Sequence, residues 1–241
     1  MLLYVLRMTL TGLFLAIAGG FGTLYCLLRP NRPENLKFMA NIIKHGSSIL
    51  GFKFVLRNKD YFKEFPAVLV SNHQENMDVF IGAHTIPIRC VSLGKRSILY
   101  IPFFGLFYWL SGNILINRSN KRSAIGTMDT TAKKIVDNNI SVWILPEGTR
   151  SKGRGVLPFK KGAFITAIKA QVPVYPIAIS SYKNIDFKRW HAGTVITEIM
   201  PPISTKGMTI DDANQLKDHC YHLIKNKVAE LDLELEKEIK A

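Results

Sequence analysis

Ala67-Val68-Leu69-Val70-Ser71-Asn72-His73-Gln74-Glu75-Asn76-Met77-Asp78 is the stretch on which the fold of this chain turns. The first four residues read as a short buried strand, Ser71-Asn72 is turn chemistry, and residues 77–86 carry a helical pattern. His73 and Asp78 give the same stretch its chemistry. A histidine can take a proton from a hydroxyl, and a nearby carboxylate can hold its ring in the productive tautomer. On one continuous helix the two could not meet, because a five-residue step turns roughly 140° at about 100° per residue. They meet only if His73 lies on the turn and Asp78 in the first turn of the following helix. Taken alone, the pair also fits a surface turn with a satisfied histidine.

Outward from this stretch, short apolar strands alternate with amphipathic segments. Strands are expected at Phe52–Leu56, Ala67–Val70, Ile88–Leu93, Ile114–Asn117, Ser141–Leu145, Val174–Ile179 and Val195–Ile199. Helices are expected over 77–86, 121–138, 161–170 and 211–238. The alternation predicts an α/β fold, a mixed sheet flanked by helices, and excludes a pure bundle or an all-β protein. A division follows: residues 1–50 as N-terminal membrane-anchoring helices and 51–241 as the catalytic domain. Near the C-terminus, Leu231-Asp232-Leu233-Glu234-Leu235-Glu236 has poor helical periodicity and reads as a frayed, solvated tail.

The net charge of +14 is unevenly spread, for residues 31–205 hold 24 cations against 10 anions. Such a body suits an anionic partner: a phosphorylated substrate or an acidic membrane. Nucleic acid is disfavoured because no nucleic-acid motif is present. Cys26, Cys90 and Cys220 are too far apart for a metal site or a disulfide framework, and read as buried thiols in a reducing compartment.

Met8 to Leu28 runs 21 residues without a charge, between Arg7 and the Arg29/Arg32/Lys37 cluster. As a helix it would extend about 31 Å, close to the hydrocarbon thickness of a bilayer. Three readings fit: a signal peptide ending near Ala16-Ile17-Ala18, a single span, or a helical hairpin dipping into one leaflet. Gly12, Gly19, Gly20 and Gly22 weaken a straight helix, and Pro30-Asn31-Arg32-Pro33 stops it. Residues 35–50 then place Leu36, Met39, Ile42, Ile43 and Leu50 on one face, an amphipathic helix suited to an interface. All but the signal-peptide reading attach the chain to a membrane.

Three further blocks carry chemical potential. Leu145-Pro146-Glu147-Gly148-Thr149-Arg150-Ser151 follows a predicted strand, where α/β proteins place their sites. Glycine backbone there can turn N–H groups toward an anion, and Arg150 can grip phosphate oxygens in a fork. Glu147 could accept from a substrate hydroxyl or hold Arg150. Gly94-Lys95 opens a block through Gly105 that joins a cation to an aromatic run ending at Trp109, so a phosphate at Lys95 could neighbour an acyl chain. A core helix after Lys95 is the plainer reading. Arg118, after the strand at 114–117, is another phosphate candidate, and Val172-Pro173-Val174-Tyr175-Pro176 is a strand entered through a fixed turn.

With an H-x-x-x-x-D motif at His73–Asp78 and P-E-G-T-R-S at Pro146–Ser151, in that order, the chain resembles the glycerolipid acyltransferase family. The likeness spans nearly the whole chain and is greatest to bacterial members that acylate 1-acylglycerol 3-phosphate. The resemblance implies transfer of a fatty acyl group from an acyl thioester to the sn-2 hydroxyl, yielding phosphatidate for phospholipid (CDP-diacylglycerol) synthesis. It implies His73 as general base and Asp78 as the orienting carboxylate. Glu147, Gly148, Thr149 and Arg150 would shape the acceptor site, Lys95 and Arg118 would add phosphate contacts, and Pro173 would border the acyl-donor region. No resident cofactor or metal is implied; acyl-CoA or acyl-carrier protein would be the co-substrate. The partners implied are lysophosphatidate, the acyl thioester and membrane lipids, at the bacterial inner (cytoplasmic) membrane with the site on the cytoplasmic side. Another acceptor, such as glycerol 3-phosphate or a different lysophospholipid, fits the same motifs. A silent lipid-binding protein would have no use for an intact His73/Asp78 pair, and a phosphohydrolase would want metal ligands the sequence does not supply.

Overall fold

The structure, a computed structural model, describes residues 1–117 and 121–240. Its centre is a seven-stranded sheet in the order β1-β7-β6-β2-β5-β3-β4. The strands are β1 (Phe52–Arg57), β2 (Val68–Ser71), β3 (Cys90–Lys95), β4 (Ile114–Ile116), β5 (Ser141–Ile144), β6 (Val174–Ile179) and β7 (Gly193–Ile199). The neighbours from β6 to β4 run parallel, and β7 lies antiparallel to β6. The mixed α/β sheet expected from the alternating pattern is therefore present, with each of the seven expected strands in place to within two residues at either end.

Period-2 alternation sorts each central strand between two cores. Val68, Val70, Val142 and Ile144 point to one side, where α6 (Lys121–Asp137), α7 (Gly162–Ala170) and α8 (Ala213–Lys240) lie. Leu69, Trp143, Tyr175 and Ile177 point to the other, covered by α1 (Leu2–Leu28), α2 (Glu34–Ile43), α3 (Gly46–Leu50), α4 (Asp78–Thr85) and α5 (Phe104–Leu110). Strands buried on both faces leave the carbonyl edge as the place where polar groups can collect. All three cysteines are buried and free, and burial pushes the Cys220 thiol up to about 12.

Two segments differ from the sequence-based expectation. The C-terminal segment is not a frayed tail: α8 continues to Lys240, with Leu231 and Leu235 buried one turn apart. Leu233 is exposed between them, so only two of the three leucines belong to the apolar stripe, and the alternation hides the helical period. Two of its acids, Asp232 and Glu234, are engaged as well. Arg57 makes a forked pair with Glu234, and Asp232 accepts from the Ser181 amide at 2.6 Å. The segment 35–50 is also not an interfacial helix. It divides into α2 and α3, and Met39, Ala40 and Ile43 face the protein core, while Lys37 donates to the Ile86 carbonyl at 2.6 Å.

α1 is a single helix of 27 residues despite its glycines. Its inner face, Arg7, Thr11, Ala18, Gly19, Gly22 and Cys26, is small or polar. A Cβ at Gly19 would lie 2.9 Å from the Phe103 carbonyl oxygen, so glycine there permits the chain before α5 to approach. The outer face is the apolar one. Leu6, Leu10, Leu13, Ile17, Phe21, Leu24 and Leu28 recur every three or four residues and are exposed. Arg7, only 6 % exposed, donates to the carbonyls of Phe187 (3.0 Å), Arg189 (2.5 Å) and Trp190 (2.5 Å). It is a clamp on the β6–β7 connection rather than a free charge flanking an apolar run. α1 is long and apolar enough to cross a membrane, yet it lies against α5, α3 and α2.

Candidate active site

β6, β2, β5, β3 and β4 end on the same edge of the sheet, and most of the sequence-predicted site residues stand there. Asn72 closes the edge between β2 and β6: its side chain donates to the Ile179 carbonyl at 2.8 Å and accepts from the Ile179 amide at 2.9 Å. Gln74 donates to the Ser180 carbonyl at 2.8 Å. These bonds fix both sides of the turn that carries His73.

Asp78 is the first residue of α4 and reaches back over that turn. Its Oδ2 lies 2.5 Å from His73 Nδ1 and accepts from the Gln74 amide at 2.7 Å, with the Glu75 amide at 3.3 Å. Tyr182, just beyond β6, donates its hydroxyl to the other oxygen, Oδ1, at 2.5 Å. An ionised carboxylate only accepts, so Nδ1 is assigned the proton and Nε2 the lone pair. No hydrogen bond engages Nε2 among the described residues, and the His73 side chain keeps 19 % of its surface exposed. The arrangement can accept a proton at Nε2 and stabilise the imidazolium that results.

Glu147 takes a different position from the one its residue type suggests. At 2 % exposure it does not open to the surface, and its hydrogen bonds go to backbone rather than to Arg150. Oε1 accepts from the His73 amide at 2.7 Å and Oε2 from the Leu157 amide at 3.1 Å. One carboxylate therefore pins the histidine turn to the far end of the 148–157 loop. Burial pushes this carboxyl up to about 7, against the opposing pull of those two N–H groups. The same loop runs beside the turn, with the Ser151 amide on the His73 carbonyl at 2.8 Å and the Lys152 amide on the Gln74 carbonyl at 3.2 Å.

The Arg150 guanidinium donates to the Asn76 side chain and so stays over the His73 turn. Arg154 folds back on the Ser151 carbonyl at 2.8 Å, capping the loop rather than reaching outward. Gly148 has φ +70, and a Cβ there would come within 2.9 Å of Lys160 Nζ, so Lys160 is a further cation at the loop. Thr149 is exposed. Lys95 ends β3, exposed, two strands from β2 and so about 10 Å away along the edge. Arg118 lies outside the described residues.

Pro173 is not brought to this edge. It precedes β6 at the opposite end of the sheet, where its carbonyl accepts from the Val68 amide at 3.0 Å. A six-residue strand, about 20 Å long, separates it from the His73 side. Its bond to Val68 helps set the register of β6 against β2. Among the described residues no three His, Cys, Asp or Glu side chains are arranged to hold a metal ion.

Tyr182, Asn72 and the backbone role of Glu147 escaped the sequence reading. The β6–β2 adjacency that unites Tyr182 with Asp78 joins residues more than 100 positions apart, and no local pattern encodes it. Turn chemistry at Asn72 was visible, but not the strand it would bond.

Residues 53–180 match the family model described as Acyltransferase. Over 236 residues the chain is 38% identical to the 1-acyl-sn-glycerol-3-phosphate acyltransferase of Escherichia coli, covering 97% of this chain and 96% of that one. This chain belongs to the acyltransferase family. Another such relative, from Haemophilus influenzae, is 41% identical over 218 residues, covering 90% of this chain and 91% of that one. The fold has a solved counterpart in the crystal structure of the 1-acyl-sn-glycerophosphate acyltransferase of Thermotoga maritima. There the TM-score is 0.75 at 24% identity, with 95% of each chain covered. In this acyltransferase the edge that carries His73 and Asp78 thus falls inside the segment the family model matches.

Proposed function

We propose that this acyltransferase moves an acyl group from an acyl thioester, acyl-CoA or acyl-carrier protein, to the sn-2 hydroxyl of 1-acylglycerol 3-phosphate, giving phosphatidate. The observation that carries the proposal is the His73–Asp78 pair with Nε2 unengaged, beside Arg150 and within about 10 Å of Lys95 along the edge. His73 Nε2 takes the hydroxyl proton as the oxygen attacks the thioester carbon. The tetrahedral oxyanion collapses, the thiolate leaves, and the imidazolium returns the proton to it. Asp78 orients the ring and balances its transient charge. General-base help of this kind supplies about 10²–10⁴-fold, and positioning with oxyanion stabilisation the remainder. No acyl-enzyme and no resident cofactor enter this route.

Arg150 and Lys95 supply the positive charge for the acceptor phosphate, while Gly148 and Thr149 line the approach. Within residues 1–50, α1 is the membrane-anchoring part, and α2 and α3 pack it onto a catalytic domain that fills 51–241. The clamp from Arg7 to the body argues that α1 lies in one leaflet, its apolar face outward, rather than standing across the bilayer. Exposed Tyr100, Ile101, Phe103, Leu106 and Trp109 continue that apolar surface toward the Lys95 edge, so the acceptor enters from the lipid. The setting is the cytoplasmic face of a bacterial inner membrane.

The test is an acceptor competition in detergent micelles. The enzyme receives labelled acyl-CoA with equal lysophosphatidate, glycerol 3-phosphate and lysophosphatidylcholine, beside the His73→Ala variant and beside acyl-carrier protein as donor. Label is expected in phosphatidate alone, and only with His73 present. Label in another product discards the acceptor, and near-normal turnover by His73→Ala discards the mechanism.

A further inference from the structure

Asp78 has two oxygens with unequal surroundings. Oδ2 meets His73 Nδ1 and the Gln74 amide, whereas among the described residues Oδ1 has, besides the Tyr182 hydroxyl at 2.5 Å, only the Glu75 amide, which lies 3.3 Å from both oxygens. Without the phenol, one lone-pair side of the carboxylate would be held weakly, and the group could rotate about its Cβ–Cγ bond. Rotation would carry Oδ2 away from Nδ1.

Tyr182 is itself fixed. It opens the 180–192 connection between β6 and β7, a segment held at several points. Asp232 of α8 accepts from the Ser181 amide at 2.6 Å, next to Tyr182 in sequence. The Asp186 amide donates to the Ala192 carbonyl at 2.8 Å, and Arg7 grips the Phe187, Arg189 and Trp190 carbonyls. Burial, together with the adjoining Asp78 carboxylate, holds the phenol well above its ordinary pKa, so it remains a donor.

We infer that Tyr182 is a positioning residue for the His73–Asp78 pair, holding the carboxylate through its second oxygen so that the first stays aimed at Nδ1. The inference rests on the assignment of His73 as general base. It also gives α8 and α1 a part in the site, since both tether the segment that presents Tyr182.

Tyr182→Phe keeps the ring and removes the hydrogen bond. Losing one hydrogen bond to a charged group corresponds to about a 10-fold fall in kcat. KM for lysophosphatidate and for acyl-CoA is expected to stay near the parent values, because the phenol touches neither in this reading. With Oδ2 free to turn away from Nδ1, the imidazolium loses part of its charge partner, so the acid limb of kcat/KM moves to lower pH. The other charged groups around the pair are Glu75 on the turn, Glu147 and Arg150 after β5, and Asp232 behind Ser181; all are unchanged in this variant. Thermal midpoint, kcat, both KM values and the pH profile are measured together with His73→Ala. An inactive His73→Ala beside a Tyr182→Phe with normal kcat and pH profile would sink the Tyr182 inference alone. An active His73→Ala sinks the base assignment itself. A fall in kcat that follows a fall in thermal midpoint, with the acid limb unmoved, reduces Tyr182 to a packing residue.

Discussion

The carbonyl edge of the sheet and the N-terminal helix bury one charge each, and they do so in mirror image. Glu147 accepts from two backbone N–H groups, those of His73 and Leu157. Arg7 donates to three backbone carbonyls, those of Phe187, Arg189 and Trp190. Each charge compensates its own desolvation with backbone groups that would otherwise be unsatisfied, and each ties a loop to the site. The surroundings differ. Glu147 is enclosed by a packed sheet, whereas Arg7 sits on the small, polar inner face of a helix whose large apolar residues point away from the protein. Buried charge therefore marks the inner side of both regions, but only in the helix does bulk apolar surface mark the outer one.

The largest effect expected from this contrast is on the pH dependence of stability. Burial raises the Glu147 carboxyl to about 7 in the folded protein, above the value of about 4.3 that a free glutamate shows. The unfolded chain thus loses its proton first, so the contribution is fully present below about pH 4.3 and is lost as pH rises through about 7. Over that window the difference amounts to roughly 4 kcal/mol. Glu147→Gln removes the titration. Denaturant unfolding of both proteins from pH 5 to 8 should show the parent losing stability relative to the variant. A constant offset would mean that the two backbone N–H donors, not burial, govern this carboxylate.

Both anchors show what local pattern conveys and what it does not. The strand–turn–helix at 67–78 was legible because its period, its turn residues and its Asp at a helix start all lie within a dozen positions. The seven strands were legible for the same reason. Glu147 and Arg7 were legible as charges but not as clamps, since their partners are set by sheet order and by the path of the β6–β7 connection. A charged residue beside a site or an apolar run suggests substrate or lipid, and tertiary structure assigned both to backbone instead. Leu233 misled in the opposite way, as a solvent-facing leucine that masked the period of α8. Pro173 belongs to a genuine strand start, yet a strand has two ends, and sequence does not say which one faces the chemistry.

An intermediate effect is expected at Arg7. Arg7→Ala leaves three carbonyls without their donor and should cost about 2 kcal/mol, read by denaturant unfolding in detergent. Arg7→Lys should recover only part of that, because a single ammonium cannot span three carbonyls set in a fork. Limited proteolysis should cut the 187–190 segment faster in both variants. Full recovery by lysine would make Arg7 a simple charge near an apolar run, and the mirror-image comparison would fail.

The smallest effect on stability, and the sharpest separation of the two faces of α1, is expected at Leu13. It is 56 % exposed and has no place in either core. Leu13→Ser should change unfolding in detergent by no more than about 0.5 kcal/mol. The remaining exposed half of a leucine is worth about 1.4 kcal/mol on transfer to lipid, or about a tenfold loss of vesicle binding in a sedimentation assay. An outer face that meets lipid predicts lost binding at unchanged stability. If stability fell while binding held, Leu13 would be packing against protein, and the face would belong to an interface between chains rather than to a membrane.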